Sequence, residues 1–158
     1  ASVGEVQLAA ALVRTVRERF PSLPILITAF TPTGAARANA LGADLSVRYL
    51  PYDLPGAVRR FLDRTRPRLA IILETELWPT LYRACHRRDI GLVIANARLS
   101  RRSARRYRRF AALFRAALRP VQVAAQSAED AARFHAIGAQ AGQIHVIGNL
   151  KFDVTLPP

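Results

Sequence analysis

Short apolar runs alternate with stretches of helical periodicity along nearly the whole chain, and no other feature constrains the fold as tightly. Helical periodicity runs from about Val6 to Phe20 and stops at Pro21. Ile25–Phe30 reads as a strand, followed by the turn Thr31-Pro32-Thr33-Gly34 and a short helix ending near Gly42. Leu45–Tyr49 is the next strand, and the loop from Pro51 to Pro55 leads into a helix through Thr65. Then come strand Leu69–Leu73, a helix over about 79–88 and strand Leu92–Ala95. A long basic helix covers roughly 103–118, then strand Val121–Ala125, helix 128–137 ended by Gly138, and strand Ile144–Ile147. Strands joined through single helices imply βαβ units and right-handed crossovers. The expected class is α/β, a Rossmann-like parallel sheet with helices on both faces.

A chain of 158 residues, 51% apolar, is long enough for one domain with a real core. None of its apolar runs approaches the roughly 18 residues of a spanning helix. Cys85, the only cysteine, excludes an intramolecular disulfide, and its helical setting suits a small core residue. His86, His135 and His145 are scattered without metal-ligand spacing, so no metal site is expected. Both ends read as cut. The opening Ala1–Glu5 is a strand-to-helix turn with almost no strand before it, and Leu156-Pro157-Pro158 reads as the start of a linker. The expectation is a domain over 1–153 with a truncated first strand, a linker beginning at 154–158, and a larger parent protein.

The net charge is +13, and 23 of the 24 basic residues are Arg, Lys151 being the exception. Genomic base composition accounts for much of the preference for Arg over Lys but not for the sign of the charge. A net positive field implies a polyanionic partner: nucleic acid, an anionic membrane or a phosphorylated substrate. The density peaks at Arg98, Arg101, Arg102, Arg105, Arg106, Arg108 and Arg109, with no acid among them. Helical spacing makes this a basic face, with Phe110, Leu113, Phe114 and Leu118 as the buried stripe further along. A solvated face is the plain reading of such a run. Uncompensated repulsion favours contact with phosphate or anionic lipid through Arg101, Arg102, Arg105 and Arg106.

Ligands of open parallel sheets bind beyond the carboxyl ends of the strands. Glu74 and Glu76 leave strand Leu69–Leu73 directly, followed by the only Trp, Trp78, and by Pro79 placed to start a helix. In the usual strand order 3-2-1-4-5-6, a missing first strand would lie beside Leu69–Leu73, putting Glu5 and the Glu74/Glu76 pair on opposite walls of one crevice. Gly4 allows close backbone approach there. Glu5 reads either as a first-turn acid satisfying the helix dipole or as an ionised base. Thr31, Thr33 and Gly34 form either a phosphate or sugar-hydroxyl site or a plain turn with Thr33 as N-cap. Asn96-Ala97-Arg98-Leu99-Ser100 would aim Arg98 into the crevice, and Ser127 is equally good as a helix cap.

Six motifs occur in the order and spacing of one family: Ser2-Val3-Gly4-Glu5, Thr31-Pro32-Thr33-Gly34, Tyr49-Leu50-Pro51-Tyr52-Asp53, Glu74 through Pro79, Asn96 through Ser100 and Gly148 through Asp153. The chain closely resembles the N-terminal domain of the 3-deoxy-D-manno-octulosonic acid (Kdo) transferases of Gram-negative bacteria. The resemblance implies the acceptor half of a GT-B glycosyltransferase of lipid A and lipopolysaccharide biosynthesis. It implies inverting transfer of Kdo from CMP-Kdo to the phosphorylated disaccharide lipid A precursor. No metal or other cofactor is implied, CMP-Kdo being the donor substrate, held mainly by a C-terminal domain. Glu5 falls on the family's general base. Glu76, with Glu74 behind it, falls on the second acidic motif, where it orients the acceptor or steadies positive charge on the sugar ring. Ser2, Gly4, Thr31, Thr33, Gly34, Glu74, Arg98 and Ser127 are the implied acceptor contacts. The implied location is the cytoplasmic face of the inner membrane, peripheral or anchored through a segment before Ala1. The fragment alone is expected to be inactive. The rival reading is a basic nucleic-acid-binding or membrane-binding α/β module without catalysis. It finds no RNA-binding strand motif, zinc pattern or compact helix-turn-helix, and it leaves the three acids unexplained.

Overall fold

The computed structural model describes residues 3–42, 44–74 and 76–150, with the side chains of Val3 and Gly4 excepted. Ser2, Lys151, Phe152, Asp153 and the segment 154–158 lie outside the described residues. Residues up to Pro51 form one compact unit and Tyr52–Leu150 form another.

In the first unit, helix α1 (Val3–Arg19) carries Glu5 in its first turn and buries Leu8. It begins three residues before the periodicity predicts and gives out just before Pro21. Arg17 pairs with Asp44 beyond the next helix. Strand β1 (Leu26–Ala29) pairs in parallel with β2 (Ser46–Tyr49), from Leu26 opposite Ser46 to Ala29 opposite Tyr49. Between them lies α2 (Pro32–Asn39), started by Pro32. Its N-cap is Thr31, whose hydroxyl accepts the Gly34 N–H at 3.1 Å, and not Thr33 as the sequence suggests. The reason is position: Pro32 fixes the first helical residue, so the capping oxygen must come from the residue before it.

In the second unit, α3 (Pro55–Thr65) buries Val58 and Leu62, one turn apart, and ends where Arg66 turns left-handed at φ 43°. The parallel sheet beyond it has the order β3-β4-β5-β6: β3 (Leu69–Leu73), β4 (Gly91–Ala97), β5 (Gln122–Ala125) and β6 (Ile144–Val146). The strands are thus parallel throughout but form a pair and a quartet. The β1-β2 pair and the run β3-β4-β5 are adjacencies of the 3-2-1-4-5-6 order, and β6 extends that run by one strand. Ile94 and Ala95 of β4 point to opposite faces and both are buried, so this strand is covered on both sides. Helix α4 (Pro79–His86) packs against β4, and α7 (Ala128–Ala136) against β5 and β6. Gly138, at φ 119°, closes α7, and a Cβ there would stand 2.6 Å from the Arg115 Cα. Only glycine permits that approach.

The expected continuous basic helix is two helices, α5 (Arg101–Arg108) and α6 (Ala111–Leu118), broken at Phe110. Helix α5 packs on α7 while α6 packs on α4, and one straight rod could not follow both. Tyr107 of α5 leans on Phe114 of α6 with ring centroids 4.7 Å apart. The break also corrects the apolar stripe. Phe114 and Leu118 are buried as expected, but Phe110 is 60% exposed and Leu113 39%. No helix among the described residues is long and apolar enough to cross a membrane.

Cys85 lies in the core of α4 with no exposure. Burial pushes its thiol up from an ordinary 9.0 to about 11, against the opposing pull of Arg88. The thiol form is therefore favoured by folding below pH 9 and that advantage is lost as pH rises through about 11. Between these limits stability is expected to fall by up to about 1.4 kcal/mol per pH unit from this group. Denaturant midpoints of wild type and Cys85→Ala, compared from pH 8 to 11, check it through their difference, since the raised Tyr82 phenol adds the same slope to both above pH 10.

Candidate functional site

The carboxyl ends of β3, β4 and β5 carry the densest polar construction in the second unit. Among the described non-glycine residues, four have left-handed φ: Arg66, Glu74, Asp89 and Asn96. Arg66 and Asp89 follow the ends of helices α3 and α4, where such a residue is an ordinary terminator. Glu74 (φ 60°) and Asn96 (φ 53°) instead stand at adjacent strand ends, one residue beyond the paired Leu73 and Ala95. The Glu74 N–H donates to the Ala95 carbonyl at 3.0 Å, fastening the two ends together. Left-handed backbone costs a non-glycine residue about 1–2 kcal/mol, and such strain concentrates at working sites.

Beside Asn96 the β4–β5 register slips. Ile94 faces Val123, but Ala97 faces Ala125, so Ala95 and Asn96 together oppose Ala124. This is a β-bulge, a device that bends a strand and re-aims the residues beyond it. Asn96 is fully buried: its Oδ1 accepts the Leu150 N–H at 3.1 Å, and its carbonyl accepts from Gln126 Nε2 at 3.0 Å. Its Nδ2 is buried without a hydrogen-bond partner among the described residues.

The chain beyond the bulge is held from α7. Asp130, 6% exposed, accepts the Leu99 N–H at 2.8 Å through Oδ1 and the Ser127 hydroxyl at 2.9 Å through Oδ2. Arg133 donates to the same Oδ1 at 3.0 Å and to the Leu99 carbonyl at 3.1 Å. Leu99 is itself buried, so both of its backbone groups and its side chain are fixed. Arg98, one residue before this anchor, is exposed. Ser127 is the N-cap of α7, accepting the Asp130 N–H at 3.1 Å, which is the capping alternative left open by the sequence.

Glu76 is exposed, and its carboxylate Oε2 accepts from Trp78 Nε1 at 3.2 Å. Its backbone carbonyl accepts from the Tyr82 hydroxyl at 2.5 Å. Burial, with added repulsion from the Glu76 and Asp53 charges, pushes the Tyr82 phenol far above its ordinary range, so it remains a donor. Arg101, Arg102, Arg105 and Arg106 of α5 are all exposed, and no acid stands between Asp89 and Glu129.

Of the residues singled out in the sequence, Glu74, Glu76, Arg98 and Ser127 are in the second unit, at or just beyond these strand ends. Glu5, Thr31, Thr33 and Gly34 belong to the first. Glu5 is half-buried in the first turn of α1, and Gly4 precedes it in the same turn. Thr31 and Thr33 are exposed and Gly34 is buried. Sequence reasoning assigns no role to Asn96, Asp130 or Asp53. Asn96 has a signal, an Asn at the end of an apolar strand, where it tolerates left-handed backbone. A hollow of about 360 Å³ lies at the opposite strand ends, among Leu62, Asp63, Arg66, Pro67, Arg88 and Ile90. There Arg88 meets the Asp63 carboxylate at 2.9 Å and Arg66 Nε donates to the Asp63 carbonyl at 3.3 Å, and none of the residues singled out in the sequence lines it.

Residues 1–154 match the family described as 3-deoxy-D-manno-octulosonic-acid transferase (kdotransferase). The chain is 42% identical over 156 residues to the 3-deoxy-D-manno-octulosonic acid transferase of Haemophilus influenzae, covering 98% of this chain and 36% of that protein. It is 41% identical over 163 residues to that of Bordetella pertussis, covering 99% of this chain and 37% of the relative. A bifunctional glycosyltransferase/methyltransferase of Fusobacterium nucleatum is 32% identical over 162 residues, covering 98% of this chain and 25% of the relative. The chain spans little more than a third of the length of the first two. An α/β chain of parallel strands, matched from end to end in this way, belongs to the Kdo transferase family and corresponds to its N-terminal region.

Proposed function

We propose that this chain is the acceptor-binding half of an inverting glycosyltransferase that moves Kdo from CMP-Kdo to the phosphorylated disaccharide precursor of lipid A. The observation that carries this reading is the family match over residues 1–154, which takes in every acid the chemistry calls for. Glu5 is the general base. As the acceptor hydroxyl oxygen attacks the anomeric carbon, Glu5 takes the hydroxyl proton. The new carbon–oxygen bond forms on the face opposite the leaving group, and the bond to CMP breaks with its electron pair going to the CMP phosphate. Glu5 stands half-buried in the first turn of α1, within the stretch that the family match covers. Glu76, with Glu74 beside it, orients the acceptor or steadies positive charge on the donor ring. Thr31, Thr33, Gly34, Arg98 and Ser127, together with Ser2 and Gly4, are the acceptor contacts of this reading. It requires no metal or other cofactor.

Catalysis by this scheme calls for a donor-binding domain, the share of the relatives' length that this chain does not span. The two-domain enzyme should transfer Kdo from CMP-Kdo to the precursor, and the purified chain alone should not. Turnover by the chain alone, or none by the two-domain enzyme, would overturn the reading.

The partner surface in this reading is anionic lipid at the cytoplasmic face of the inner membrane, met by Arg101, Arg102, Arg105 and Arg106. A basic side chain near an anionic bilayer contributes about 1 kcal/mol. Replacing all four by Ser is therefore expected to weaken binding to phosphatidylglycerol vesicles at low salt by about 1,000-fold. Vesicle co-sedimentation measures it, with duplex DNA at matched salt as the comparison. Tighter binding to DNA than to vesicles would favour the nucleic-acid alternative.

A further inference from the structure

Helix α4 begins without a cap of its own. Trp78 occupies the N-cap position and makes no side-chain capping bond, and Pro79 after it has no N–H to offer. The next two N–H groups, of Thr80 and Leu81, are satisfied from far away in sequence. Asp53, in the loop that leads into α3, accepts Thr80 at 2.9 Å through Oδ2 and Leu81 at 2.8 Å through Oδ1. A local Ser or Asp at position 78 would cap the helix as well. Delegating the cap to Asp53 leaves position 78 to an indole, and that indole donates to the Glu76 carboxylate. One turn into the same helix, Tyr82 donates to the Glu76 carbonyl. Backbone and side chain of Glu76 are thus both held by groups whose own placement depends on where α4 starts.

We infer that Asp53 is a positioning residue: by gripping the first two free N–H groups of α4 it sets the geometry in which Trp78 and Tyr82 present Glu76. This rests on the reading of Glu76 as a working acid, but the geometric part can be tested without it. Trp78 is the only Trp, so its emission reports directly on the group that touches Glu76. Asp53→Asn keeps size and one acceptor oxygen, while Asp53→Ala removes both. Phe134→Leu, a buried substitution in α7, which packs on β5, β6 and α5, serves as the control for lost stability alone.

Both Asp53 variants are expected to shift the Trp78 emission maximum of the folded chain, Asp53→Ala by more. In the two-domain enzyme they should lower kcat about tenfold, with KM for CMP-Kdo changed less than about twofold. Phe134→Leu should leave emission and kcat at wild-type values below its own melting transition. If Asp53→Asn and Asp53→Ala melt earlier yet keep wild-type emission and kcat, Asp53 is a structural cap only and the inference fails. Should Asp53→Ala not fold, Asp53→Asn decides by the same readouts. If wild type transfers no Kdo, the functional reading falls while the emission measurement still decides the positioning.

Discussion

Glu5→Gln in the two-domain enzyme is expected to reduce kcat for Kdo transfer by about 10³-fold while acceptor affinity stays within a factor of about three. A positioned general base contributes some 10²- to 10⁴-fold, and the amide of Gln cannot take a proton at neutral pH. Size and hydrogen-bonding reach are conserved in the exchange, so the loss should fall on the chemical step rather than on binding. The place of Glu5 in the first turn of α1 strengthens the contrast. The helix terminus favours a carboxylate over its neutral replacement, so the exchange removes a charge the fold supports. Transfer assays with the precursor, paired with calorimetric acceptor binding, separate the two effects. Glu74→Gln and Glu76→Gln belong in the same series. If Glu5→Gln remains active and a change at Glu76 abolishes turnover, the roles of the two acids must be exchanged.

Asp130→Ala should lower the unfolding free energy by about 3 kcal/mol, at the lower end of the range for breaking a buried ion pair from one side. Its carboxylate, 6% exposed, gathers the Leu99 N–H, the Ser127 hydroxyl and the Arg133 guanidinium. Truncation leaves a buried N–H unpaired and a partly buried cation without its counter-charge. For a chain of this size the thermal midpoint should drop by roughly 6–12 °C. Asp130→Asn, which keeps an acceptor for Leu99, should cost less than half as much. Denaturant midpoints measure both. The loss should also loosen the loop that carries Arg98, visible as faster amide exchange at Leu99. Equal stability of Asp130→Ala and wild type would mean that the network contributes no net stability.

The alternation of apolar runs with helical periodicity made the elements legible because each strand is short, bounded by turn residues and followed by a helix of its own. Strand β3 begins and ends where its apolar run does, and Pro79 marks the start of α4. The break at Phe110 was not legible. Arg109, Phe110 and Ala111 contain no Gly or Pro, and the helix yields there only because α5 and α6 pack on different partners. The candidate site shows the same division. Acids leaving an apolar strand could be read directly, since such residues are costly to bury and stand where ligands bind. Asn96, Asp130 and Asp53 could not, because their importance lies in partners that stand 27 to 54 residues away. Side chains that reach across the fold leave no periodic trace.

The extra residue in β4 has a consequence of parity. Along a strand, inward and outward positions alternate, so one inserted residue inverts the sense of everything downstream. With Ala95 and Asn96 sharing a single opposite residue, the chain emerges with Leu99 in the core and Arg98 in solvent. Removing one of the pair would turn Ala97 over within β4 and draw the loop that carries Arg98 and Leu99 back by one residue. The bulge thus sets where the strand hands its chain over to the Asp130 and Arg133 contacts that fix Leu99.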